Sequence, residues 1–329
     1  MSHGHFRKSE KGAALLTVLL LVAVLAILAA HGIDRIAGAA KLTSNSRELA
    51  QAQAYMVAAE NLGMQTAQQI VELSPGRTTN LGDWNGRINR VPVPGGIISA
   101  TISDGGNCFN INSLVSQEQN IYVARQAGID QFIRLMGLLD VPQGDAFDIA
   151  ASVVDWLDSD TIATPGGAED EYYLQSERAY RTANNLIFDV SELRAIKGID
   201  AAIYARLVPW ICALPIAELS PVNINTLRPE QSLLLEILSE NPINSVDIRQ
   251  FLGRRPETGF SSVTAFWSRP VPASFGAPPQ VQRQVKVATR WFRLDLTVEM
   301  QSALIEEQAL VDAGLQPARL VQRRRGDAL

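Results

Sequence analysis

Residues 13–30, AALLTVLLLVAVLAILAA, form an uncharged apolar run. Roughly 18 such residues, rising about 1.5 Å each as a helix, cross most of a hydrocarbon core of about 30 Å. Ahead of the run, Arg7, Lys8, Glu10 and Lys11 lie in a short polar leader that ends in Gly12. Basic residues at a membrane flank favour the cytoplasmic side, so the leader is expected inside and everything after His31 exported. A cleaved secretory signal would have an apolar run of about 7 to 15 residues and a small-residue cleavage site, which Ala29-Ala30-His31 imitates. Here helical spacing does not break after the run. It continues through Ile33, Ile36, Leu42, Leu49, Ala52, Met56, Ala59, Leu62, Ile70 and Leu73, with polar residues opposite, and stops only at Ser74-Pro75-Gly76. One helix over residues 13–74 would be about 90 Å long, its first half suited to lipid and its second to a protein surface.

The basic leader, the junction Lys11-Gly12-Ala13 and a hydrophobic helix that turns amphipathic resemble the type IV pilin and pseudopilin class. That resemblance implies a prepilin peptidase cutting between Gly12 and Ala13, and N-methylation of Ala13 as the new amino terminus. Most members of the class carry glutamate at the fifth mature position; here Thr17 stands there. A carboxylate in the membrane requires a partner, which in pilin assembly is thought to be the amino terminus of the neighbouring subunit. A subunit without it suits the top of a filament. In this absence the chain is similar to the K family of minor pseudopilins of type II secretion systems. A plain single-span anchor is the competing reading of this segment alone.

A length of 329 residues leads us to expect two domains besides the anchor, and 47% hydrophobic residues suffice for real cores. The net charge of −5 argues against a general nucleic-acid binder. Cys108 and Cys212 lack CxxC spacing and neighbouring histidines, which disfavours metal ligation. In an oxidising periplasm the pair reads as one disulfide, with two buried free thiols as the alternative.

After the long helix, residues 87–91 and 97–103 alternate around a Pro94-Gly95-Gly96 turn and are expected to be two short antiparallel strands. Phe109-Asn110-Ile111-Asn112-Ser113-Leu114 then recurs as Val222-Asn223-Ile224-Asn225-Thr226-Leu227. Each copy places asparagine and hydroxyl side chains before a helical pattern, where they cap free N–H groups, and two similar caps are the simplest reading. Both copies also resemble asparagine motifs of the K pseudopilins, and that resemblance implies a helical domain inserted into the pilin sheet over residues 113–285. Within it the spacing predicts helices over residues 121–139, 144–157, 190–196, 203–211, 230–238 and 246–252.

The richest chemical stretch is Asp155-Trp156-Leu157-Asp158-Ser159-Asp160, then Thr164-Pro165-Gly166-Gly167, then Glu169-Asp170-Glu171-Tyr172-Tyr173. The glycines let the chain fold back so that Glu169 and Asp170 face Asp158 and Asp160. Like charges repel at close range, and a shared hard cation with oxygen ligands explains their clustering. The spacing is not that of an EF-hand, and a solvated acidic loop is the alternative. Resemblance to the K family implies calcium here, held by Asp158, Asp160, Glu169 and Asp170, with Asp155 capping or orienting.

Paired acids also suggest a hydrolase. No serine, histidine or cysteine constellation accompanies them, and His3, His5 and His31 all precede the exported body, so no enzyme is expected. Residues 193–200, Leu-Arg-Ala-Ile-Lys-Gly-Ile-Asp, look like a helix-hairpin-helix turn. Its acidic surroundings favour helix packing over DNA, although a membrane-anchored periplasmic DNA-uptake protein of that type is the runner-up for the whole chain. In the tail, residues 285–289 and 290–298 alternate as strands, and residues 302–313 read as helix or strand. Arg323-Arg324-Arg325 reads as a solvated terminus or as a salt-sensitive contact.

The expected fold is α+β and type IV pilin-like, a long N-terminal helix packed on a small antiparallel sheet with a large all-α inserted domain. Its parts are the leader 1–12, the helix 13–74, pilin segments 75–112 and 286–329, and the insertion 113–285. By resemblance the chain is an inner-membrane, single-pass protein with its bulk in the periplasm. The same resemblance implies a tip complex with H-, I- and J-type minor pseudopilins that initiates a pseudopilus and limits its length. The major pseudopilin, the prepilin peptidase and secreted exoproteins are the other expected partners, and nucleic acid is not.

Overall fold

The computed structural model describes residues 10–326, with side chains from residue 13. The leader residues 1–9, with His3, His5, Arg7 and Lys8, lie outside the described residues, as do the side chains of Glu10 and Lys11.

Helix α1 (Glu10–Leu73) runs without a break. Residues 13–47 are exposed throughout, uncharged and apolar over residues 13–30 and carrying Asp34, Arg35, Lys41 and Arg47 beyond them. Further on, one face becomes small and buried: Ala52, Met56, Ala59, Gly63 and Ala67. These positions recur every three or four residues, the spacing that stacks side chains along one helix face. At Gly63 the approach to the sheet is so close that a Cβ would lie 2.7 Å from Leu294 Cδ1.

In chain order the strands are β1 (Ile88–Val93), β2 (Gly96–Asp104), β3 (Phe109–Asn110), β4 (Val115–Glu118), β5 (Ile121–Ala124), β6 (Ile211–Cys212), β7 (Trp291–Met300), β8 (Leu304–Asp312) and β9 (Arg319–Arg325). Five of them form one antiparallel sheet ordered β1-β2-β7-β8-β9. The β2–β7 pairing, from Gly96↔Met300 to Asp104↔Phe292, joins chain before and after a long excursion. Alternation places Ile102, Phe292, Leu294, Leu296, Val298, Ala309 and Val311 on the face covered by α1. Residues 302–313 are thus resolved in favour of a strand.

The same face buries Glu307, on which Arg325 Nε donates at 2.6 Å, while Arg323 clasps Glu60 of α1 at 2.5 and 3.0 Å. Arg324 pairs with Asp189 at 2.5 Å. The arginine run is therefore an internal clamp on β9, because its alternating side chains reach buried acids on one face and the inserted body on the other.

Several expectations are corrected in the body. Sheet strands stop at Asp104 and resume at Trp291, and Phe109 and Ile111 sit in the body's own core, so residues 105–112 pack with the insertion. Nor is the body all α: β4 and β5 form a hairpin whose turn residues, Gln119 and Asn120, have φ of 48° and 69°. Pairing of Ile121 and Val123 in that hairpin overrides their helical spacing, and α2 (Gln126–Leu138) starts later than periodicity suggests. Helix α3 (Gln143–Leu157) follows closely the predicted span. Residues 203–211 divide into a short helix ending at Leu207 and strand β6, and residues 230–238 into a 3-10 turn and one helical turn. Residues 285–289 make only one bridge, Asn223↔Lys286, since their neighbours pack as loop.

Candidate functional site

The acidic stretch begins where α3 ends. Asp158 is its C-cap, with φ −74° and ψ 171°, which turns the chain off the helix axis. One turn earlier, fully buried Asp155 accepts from Thr164 N–H at 3.0 and 3.2 Å and fastens the returning loop. The loop passes so close that a Cβ on Gly167 would lie 2.0 Å from Asp155 Oδ2, and one on Gly166, at φ +88°, 2.4 Å from Asp148 Oδ1. Only glycine fits there. The chain then enters α4 (Asp170–Tyr173), with Glu169 at its N-cap.

This path brings Asp158, Asp160 and Glu169 together, with ligand atoms from each within 4.8 Å of one another. Asp158 and Glu169 are each 6% exposed, and among the described residues Asp158 Oδ1 and Glu169 Oε1 have no hydrogen-bond partner. Burial, followed by the charges of Asp160, Asp155 and Glu169, pushes the Asp158 carboxyl up to about 7. Burial likewise raises Asp155 and Glu169. Asp170 does not join the cluster. Its carboxylate accepts from Arg181 Nη1 at 2.5 Å, Thr182 N–H at 3.0 Å and Thr182 Oγ1 at 3.0 Å. Burial works against ionisation there, but the Thr182 and Arg181 contacts outweigh it and hold the carboxyl low. The residue thereby anchors the next loop. Thr182 Oγ1 also donates to Glu169 Oε2 at 3.1 Å, which orients the free oxygen inward.

The residues fit a hard divalent cation. The donor set is all oxygen, without sulfur or imidazole, and two buried carboxylate oxygens lack any other partner. Sequence reasoning missed Lys197, whose Nζ donates to the Gly166 and Gly167 carbonyls at 3.0 Å each. No local pattern signals that contact, because Lys197 lies on a separate turn.

That turn is the hairpin motif. A 3-10 helix (Val190–Ala195) leads to Gly198 at φ +85°, and α5 (Ala201–Leu207) follows, capped by Asp200. Gly198 sits on α3, where a Cβ would lie 2.9 Å from Ile149 Cγ1. The turn thus packs two helical pieces on the core. Among the described residues His31, far off on α1, is the sole histidine, so no imidazole stands near the carboxylates.

The repeated asparagines hold the body in two units. Asn110 Oδ1 accepts from Asn112 N–H at 3.3 Å and Asn223 Oδ1 from Asn225 N–H at 3.0 Å. The first copy pairs in parallel with β6, the second with Lys286. Cys108 and Cys212 form a disulfide beside the first pairing, with Cα atoms 5.8 Å apart.

Comparisons with known proteins follow the same division. Residues 107–216 and 222–287 each match a family model described as type II secretion system protein K. A type II secretion system protein K from Pectobacterium carotovorum subsp. carotovorum is 33% identical over 327 residues, covering 97% of this chain and 98% of that protein. One from Klebsiella pneumoniae is 34% identical over 317 residues, covering 96% and 97%. A chain in the crystal structure of the GspK-GspI-GspJ complex from the enterotoxigenic Escherichia coli type 2 secretion system superposes with a TM-score of 0.76 at 29% identity, covering 87% of this chain and 99% of its own length. With an anchor-length apolar helix, a pilin-like sheet and a two-unit body matched over nearly the whole length, the chain belongs to the type II secretion system protein K family.

Proposed function

We propose that this chain is a minor pseudopilin at the tip of a periplasmic pseudopilus, where it initiates assembly and limits length during protein export. Thr17 carries the reading: its hydroxyl donates to the Ala14 carbonyl of its own helix at 2.9 Å. The fifth residue after the Gly12-Ala13 junction is thus satisfied locally and offers no carboxylate to a subunit above. The broad body beyond the sheet adds a steric reason for a terminal position. By this reading α1 lies in the inner membrane, prepilin peptidase cuts after Gly12, and Ala13 is methylated. I- and J-type proteins, which accompany the related chain in its complex, are the first expected partners, with H-type and major pseudopilins below and exoproteins met at the tip. The role is structural rather than enzymatic.

The Asp158, Asp160 and Glu169 cluster is proposed to hold calcium, which would neutralise the clustered charge and tie the end of α3 to the loop before α4. The test is pseudopilus length and number in cells lacking the chain. Fewer or longer filaments, restored by the intact gene, are expected; unchanged number and length overturn the tip role.

A further inference from the structure

Between the outer face of the sheet and the hairpin side of the body lies a crevice of about 630 Å³. That volume is typical of ligand sites, which favour junctions between structural units. Two bridges span its edge: Gln322 Nε2 donates to the Phe188 and Ala213 carbonyls at 3.1 and 2.9 Å, and Arg324 pairs with Asp189.

The lining is unusual for a chain of net charge −5. Arg194, Arg228, Arg293 and Arg324 all line it, with Asp104 and Asp189 as the acids. Asp189 is taken by Arg324, and Asp104 is turned to the hydroxyls of Thr226 and Thr289. Arg293 pairs with Asp295 at 3.0 Å. Among the described residues Arg194 and Arg228 make no ion pair. The Arg194 guanidinium lies over the Tyr204 ring, 5.7 Å from its centroid, and Arg228 lies by the Gly86 turn. Exposed guanidinium groups without acids are open to carboxylates, which they bind in directional, charge-assisted hydrogen bonds. Apolar anchors stand beside them: Phe188 is 57% exposed and Val208 40%.

We propose that this crevice docks an acidic peptide segment of a protein partner, its carboxylates on Arg194 and Arg228 and its apolar side chains on Phe188 and Val208. The assignment is independent of the tip position. Its ligand is a protein segment because the apolar anchors flank the charges and a free small anion would leave them wet.

The experiment titrates the full chain in detergent with a fluorescein-labelled Glu-Leu-Glu-Leu-Glu-Leu peptide. Saturable binding that weakens as salt rises is expected, with no binding of the matching Lys-Leu peptide. Arg194→Ala combined with Arg228→Ala should weaken binding about tenfold or more. Val208→Glu, at an exposed position that leaves the fold intact, should weaken it as well, and Arg90→Ala on β1 should leave it unchanged. Absence of saturable binding at low salt, equal binding of the lysine peptide, or undiminished binding by both the double variant and Val208→Glu overturns the proposal.

Discussion

Asn112 and Asn225 make the same three contacts in two successive units. Asn112 Nδ2 donates to the Ile187 and Leu214 carbonyls at 2.9 and 2.8 Å, and its Oδ1 accepts from Ile187 N–H at 2.9 Å. Asn225 Nδ2 donates to the Phe260 and Val287 carbonyls at 3.0 and 3.4 Å, and its Oδ1 accepts from Phe260 N–H at 2.6 Å. Each buried amide stands in for a piece of β ladder and draws two remote segments to its unit's opening turn.

Replacing either asparagine by aspartate turns two donors into acceptors that face carbonyls in a buried site. Asn112→Asp and Asn225→Asp should each destabilise the fold by about 3 kcal/mol, since unsatisfied buried polar groups cost about 1–3 kcal/mol apiece. Equilibrium denaturation in urea checks this, and the two variants should lose similar amounts.

The disulfide between Cys108 and Cys212 closes a loop with a sequence separation of 104. Cys108→Ser combined with Cys212→Ser should lower stability by up to about 4–5 kcal/mol, on the chain-entropy account of loops of that length. Thermal melts of the wild type in reductant should fall toward those of the variant.

The carboxylate cluster links stability to pH and to divalent cations. Folding raises the Asp158 carboxyl from its ordinary 3.8 to about 7, so the native state binds the proton more tightly than the unfolded chain. In cation-free buffer its contribution is complete below about pH 4 and is lost as pH rises through about 7. Asp158→Asn should flatten that slope. Added calcium should raise the melting temperature of the wild type at neutral pH, the effect should largely vanish in Asp158→Asn and Glu169→Gln, and Asp170→Asn should keep it. Melting curves with calcium and with a chelator separate these outcomes.

Glu60, Glu307, Arg323 and Arg325 bind α1 to the last strands. Arg323→Met leaves Glu60 and Glu307, 5% and 0% exposed, facing each other with one guanidinium fewer. Breaking a fully buried pair costs about 3–5 kcal/mol, and the part of Arg323 that is in water reduces this to about 2–3 kcal/mol. Adding Glu307→Gln should recover part of the loss in chemical denaturation.

The membrane-length run, the unbroken helix to Leu73, the hairpin around Pro94-Gly95-Gly96 and the paired asparagine motifs were legible in the residues, because helix and strand periods and turn chemistry are local. Clustering of Asp158, Asp160 and Glu169 was legible too, since glycines at 166 and 167 permit one way back. Other features depended on distant partners. Residues 121–124 read as helix yet pair with β4, and residues 285–289 read as strand yet make a single bridge. Asp170 carries the same charge as its neighbours but is claimed by Arg181 and Thr182, which nothing in its own segment announces. Sequence alone determined the membrane-length apolar helix and the acidic loop, both set by short-range pattern, and family resemblance supplied the pilin-like plan. Tertiary structure alone decided the register of β2 on β7, the arginine clamp on buried acids and the arginine-lined crevice, because each is made of groups that meet only once the chain has closed on itself.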